Sequence, residues 1–118
     1  METALLVLAG LMGAAGVVLA AASAHGAPGT GLDSAGYLLL FHAAAALGGV
    51  ALLHQGMLSR TVGLIALCGF VLGGALFAGD VAARAYLGTR LFPMAAPAGG
   101  MILIAAWLSL ALAALLAR

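Results

Sequence analysis

Charge is what this chain has least of. Its 118 residues include four arginines, no lysine and three acids, so only 6% carry a formal charge, against about 25% in an average soluble domain. A soluble domain of this size could not cover its surface with so few charged groups. The same scarcity excludes intrinsic disorder, because disordered chains are polar and charged. Four scattered arginines make no basic stripe, which excludes nucleic acid as a partner. The single cysteine, Cys68, excludes an internal disulfide and a paired-cysteine redox motif. Paired carboxylates and a Ser-His-Asp order are missing. Gly29-Thr30-Gly31 is a turn, since no Gly-Lys-Ser/Thr follows it. The chain therefore reads as a non-enzyme.

What fills the space is apolar: 66% of residues are hydrophobic and the mean hydropathy is +1.29. About 20 apolar residues span a bilayer core as a helix. Four such runs fit, at about 3–24, 35–56, 61–79 and 99–117. All seven charges, Glu2, Asp33, Arg60, Asp80, Arg84, Arg90 and Arg118, fall at the ends of these runs or between them. That placement is what lipid demands, because a charge at the bilayer centre costs roughly 3 kcal/mol on insertion scales. The runs are continuous rather than alternating with period two, so helices are implied and barrel strands are not. The predicted fold is all-α: one domain over residues 1–118, an integral membrane bundle of four antiparallel transmembrane helices with short loops.

The connections differ in kind. His25 to Ser34, with Pro28 and several glycines, predicts a turn-forming loop. Met57 to Arg60 is short enough to make a tight hairpin. Asp80 to Leu87 has helical composition and no breaker, which predicts that the third helix runs past the bilayer core and ends at Gly88. Pro93 and Pro97 are expected to hold off the fourth helix until about residue 99. Met1-Glu2-Thr3 lacks the positive segment of a cleaved signal, so the first run is expected to stay as a span. Arg60 and Arg118 fall on the terminal side and Arg84 and Arg90 on the other, so the positive-inside rule is balanced. The N-terminal amine tips both termini toward the cytoplasm.

Leucine gains nothing by leaving lipid for leucine, so membrane helices associate where small residues let them approach. Gly69 with Gly73, and Ala45 with Gly49, have that spacing; Ala9, Gly13 and Gly16 line the first helix similarly. Gly69, Gly73, Asp80 and Arg84 share one helical stripe. Asp80 and Arg84 are also four residues apart, which suits a helix-end ion pair or, alternatively, part of a polar vestibule. His42 lies inside the second span on the face of Ala46 and Gly49. It is either a functional group or a neutral imidazole bonded within the bundle. His25 opens the first loop and His54 closes the second span. His42 and His54 are twelve residues apart and no other span holds a histidine, so no metal or haem, and no other cofactor, is expected.

Three stretches resemble one known family. They are Ala24-His25-Gly26 after a Gly/Ala-rich helix, Tyr37 through Phe41-His42-Ala43, and Phe77-Ala78-Gly79 followed by Pro97-Ala98-Gly99-Gly100 and Ala106-Trp107. In order and spacing they are similar to the small four-span membrane family numbered 423 among domains of unknown function, to which transmembrane protein 256 belongs. Three positions depart from that pattern: Asp80 stands where the family has Ser, Ala106 where it has Gly, and the first loop lacks its Lys. The resemblance implies a four-helix protein of the bacterial inner membrane with no assigned activity, marked by His25 and His42. Two function classes follow from all of this. The first is an accessory, assembly or lipid-interacting membrane protein whose partners are membrane lipids, another membrane protein or copies of itself. The second is a small oligomeric transporter or channel with His42 lining the pathway.

Overall fold

A computed structural model describes residues 1–26 and 29–117. Ala27, Pro28 and Arg118, on which the expectations for the first loop's proline and the terminal arginine fall, lie outside the described residues. The described chain is all-α. Its four helices are α1 (Glu2–His25), α2 (Leu32–His54), α3 (Arg60–Leu87) and α4 (Ala95–Leu115), each long and apolar enough to cross a membrane.

The helix ends follow local chemistry. At the end of α2, Gly56 takes φ 76°, the Gly56 amide donates to the Leu53 carbonyl, and the Met57 amide donates to the Leu52 carbonyl. This pair of bonds closes the last turn, and it requires the left-handed glycine between them. At the end of α3, Gly88 takes φ 71° and stops the helix where its sequence predicts. The start of α4 differs from expectation: the helix begins at Ala95, so Pro97 lies inside its first turn. A proline there sacrifices nothing, because the first amides of a helix have no intrahelical acceptor anyway. Pro93 alone stays outside the helix. For a related reason α2 begins at Leu32 rather than near 35, with the Ala35 amide bonded to the Gly31 carbonyl.

Packing is pairwise. Helix α1 lies along α2, α2 along α3, and α3 along α4, while α1 only grazes α3. Among the described residues, α4 makes no close backbone approach to α1 or α2. Two glycine crossings set the closest approaches. A methyl group at Gly16 would sit 2.7 Å from the Gly36 carbonyl oxygen, and one at Gly99 would sit 2.7 Å from that of Gly73. The interior falls into two apolar clusters, one around Phe70 and Leu67 and one around Leu32, all three fully buried. Outward, the helices present unbroken apolar side chains, among them Val17, Val18, Phe41, Ile65, Ile104 and Leu108.

Candidate functional site

The polar side chains expected to matter fall into two places. The first is the middle of the bundle. His42 is buried at 6% exposure, on the face shared with Ala46 and Gly49, as the helical stripe predicts. Its Nδ1 lies 2.7 Å from the Leu38 carbonyl oxygen one turn back. Its Nε2 accepts a hydrogen bond of 3.0 Å from Trp107 Nε1 on α4. These partners decide the tautomer. Indole nitrogen only donates and a carbonyl only accepts, so Nε2 carries no proton and Nδ1 carries one. His42 is thus a neutral imidazole with both nitrogens engaged. Phe70 closes the group, its ring centroid 5.5 Å from His42 and 4.6 Å from Trp107, in tilted contacts that suit aromatic quadrupoles.

Trp107 is the functional partner that sequence reasoning missed. It is half-exposed, and 65 residues separate it from His42. The one available signal was that an indole buries its N–H only against an acceptor, and the spans offered few acceptors besides His42. Cys68 is half-buried beside the same core and fills space. Among the described residues, no three of His, Cys, Asp and Glu converge as metal ligands would.

The second place is the far end of α3. Asp80 and Arg84 do pair, Arg84 Nε lying 3.3 Å from Asp80 Oδ2. The pair is not the exposed helix-end bridge that its spacing suggests, because Asp80 is only 2% exposed. Burying a carboxylate demands more than one partner. Asp80 obtains the second from the α3–α4 connection, where the Leu91 amide donates to Oδ1 at 3.0 Å. One carboxylate therefore holds a helix arginine and a loop backbone together. Arg90, next to Leu91, is brought to the same spot and makes no ion pair or side-chain hydrogen bond among the described residues. A concavity of about 360 Å³ opens here, walled by Phe77, Asp80, Arg84, Arg90, Pro97 and Gly100, with Ala96 at its edge.

The remaining expectations resolve as follows. Gly69 and Gly73 face α4, against Ala106 and Gly99. With Asp80 continuing that stripe to Leu91, the whole row serves the α3–α4 contact. Ala45 and Gly49 do not form a backbone crossing. Gly49 makes room for the Leu67 side chain, where an added methyl would overlap it, and Ala45 is half-buried beside the core. The crossing between α1 and α2 uses Gly16 and Gly36 instead, because only there are both helices bare on facing turns. His25 is the exposed last residue of α1, and the structure brings it to neither polar group. Glu2 and Arg60 pair at 3.3 Å at the opposite end of the molecule, where Arg60 is 66% exposed. No family model, no curated protein and no solved structure matches this chain.

Proposed function

We propose that this chain is a non-enzymatic integral membrane protein, an accessory or assembly component that works through helix contacts and lipid interaction. The single observation that carries the proposal is how the polar groups within the apolar helices are used. His42, Trp107 and Asp80 are spent on one another and on the backbone, while the outward faces are continuous apolar side chains. What such a molecule can offer a partner is surface, not a reactive group.

In this proposal the four helices cross the bilayer as an antiparallel bundle. Gly13 meets Ala43 while Gly16 meets Gly36, and Gly69 meets Ala106 while Gly73 meets Gly99. In each pair one number rises as the other falls. Both termini would lie on one side, in the cytoplasm, and the membrane would be the bacterial inner membrane, as the resemblance to family 423 implies. The transporter alternative asks His42 to line a path. Its two engaged nitrogens favour the accessory role over that one.

Native mass spectrometry after gentle extraction from the protein's own membrane tests the proposal. A reproducible co-released polypeptide or retained small molecule is the expected result, and a bare monomer or closed homo-oligomer with only lipid would count against the accessory role. Selective solute flux through liposomes holding the pure protein, abolished in a folded His42→Ala variant, would overturn it in favour of transport.

A further inference from the structure

We infer that the arginine-walled concavity at the end of α3 binds the phosphodiester headgroup of an anionic membrane lipid. The inference rests on the membrane proposal above and names a ligand class and a site for it. Three observations meet there. First, the wall holds two guanidiniums and one carboxylate, Arg84, Arg90 and Asp80, an excess of one positive charge. A phosphodiester carries one negative charge and matches that excess. Asp33, the other acid at this end, bonds its neighbour's amide and is not in the wall.

Second, Asp80 spaces the arginines without consuming them. It touches Arg84 through Nε and holds Arg90 only through the backbone amide of the next residue. Neither guanidinium donates a hydrogen bond to the described protein. Arg84 keeps its two terminal nitrogens and Arg90 its whole guanidinium for a ligand, and such planar forks suit the paired oxygens of a phosphate. Asp80 is a positioning residue here: although it is part of the wall, its two oxygens are taken by Arg84 and by the Leu91 amide. The first turn of α4 adds to the attraction, because Ala96 lines the same concavity and no side chain caps that turn.

Third, the flanks are greasy. Tyr86, Leu87, Leu91, Phe92 and Met94 are each between 47% and 75% exposed and surround the arginines in the chain. Side chains of that kind sink into the boundary between headgroups and acyl chains, which would set Arg84 and Arg90 at phosphate depth. A site built for free phosphate would have no use for such a rim, so the lipid is the source favoured here.

The test is lipid retention by the whole chain in mild detergent, read by native mass spectrometry during titration with phosphatidylglycerol or phosphatidylcholine. Wild type should hold one phosphatidylglycerol in preference to phosphatidylcholine. Arg90→Gln, whose side chain has no partner to lose, should fold normally and bind about fivefold more weakly, and Arg84→Gln/Arg90→Gln about thirtyfold. Arg60→Gln, at the other end, should bind as wild type does. Equal retention by the double variant and wild type overturns the inference. So does release of the lipid by excess inorganic phosphate, which would reassign the site to a soluble anion. Alkaline extraction of the source membranes separates this failure from that of the membrane proposal. Protein that stays in the pellet but binds lipid regardless of its arginines refutes only the site, and protein that leaves the pellet refutes both.

Discussion

Residues 99 and 100 are neighbouring glycines on α4, and their fates on substitution by alanine should be opposite. A methyl at Gly99 would lie 2.7 Å from the Gly73 carbonyl oxygen and 2.7 Å from the Phe77 amide nitrogen. Both are backbone atoms, so no rotamer change relieves the overlap. A methyl at Gly100 would meet nothing within 4 Å. Both variants gain the same helix propensity, about 1 kcal/mol on aqueous scales, so that gain cancels when they are compared. To restore a separation of about 3.5 Å, α3 and α4 must part by about 0.8 Å at the crossing. Overpacking of this kind costs about 1–3 kcal/mol. If α4 moves as a rod, the Trp107–His42 bond lengthens from 3.0 Å to about 3.8 Å, beyond hydrogen-bonding range. If the helices lie in a membrane as proposed, losing such a bond adds roughly 0.6–1.7 kcal/mol. Gly99→Ala should therefore be less stable than Gly100→Ala by about 2–5 kcal/mol. The assay is equilibrium unfolding in mixed micelles, followed by the fluorescence of Trp107, the sole tryptophan. Native-state emission should also shift in Gly99→Ala alone. Stabilities of the two variants within about 0.5 kcal/mol of each other, with unchanged emission, would refute the close crossing.

Three further outcomes are expected. Trp107→Phe leaves His42 Nε2 without its donor, so it should cost about 1–3 kcal/mol. A cycle with His42→Leu should return a coupling of roughly 0.6–1.7 kcal/mol, and additivity of the two changes would show that the bond is not formed. Asp80→Ala should release the α3–α4 connection, seen as tryptic cleavage after Arg90 about tenfold faster than in wild type; an unchanged rate would mean that Asp80 does not hold the loop. Met94 precedes α4 at φ 69°, a conformation that costs an ordinary residue about 1–2 kcal/mol. Met94→Gly should thus raise the thermal midpoint in detergent, and a lowered midpoint would count against that backbone.

The sequence by itself determined that there are four helices and nearly where they end. Length and uninterrupted apolar composition decide that much, and glycines such as Gly56 and Gly88 punctuate it by a local rule of backbone sterics. It also marked the working face of α3. In Gly69, Gly73, Asp80 and Arg84 the small and charged residues stand out against a uniform apolar background, and the 3.6-residue period aligns them. It placed His42 inside the bundle for the same reason.

Only the tertiary structure decided the partners. In a soluble protein the apolar stripe of each helix tells inside from outside. Here nearly every position is apolar on all sides, so the pattern does not say which helix a face will meet. Gly49 and Gly36 are both small positions on α2, yet only Gly36 brings a backbone, that of Gly16 on α1, into contact, whereas Gly49 receives the Leu67 side chain. Trp107 carried only the general mark of an indole in need of an acceptor, because a hydrogen bond across 65 residues from α4 to α2 depends on how both helices pack against α3. The Ser59 amide on the Ala113 carbonyl at 2.8 Å ties α4 to the start of α3, Trp107 on His42 ties it to α2, and Leu91 on Asp80 ties the connection leading into α4 back onto α3. Asp80 was legible as one half of an ion pair. That it is buried, and anchors the loop that carries the second arginine, followed only once α4 was in place, because burial is a property of neighbours and not of spacing.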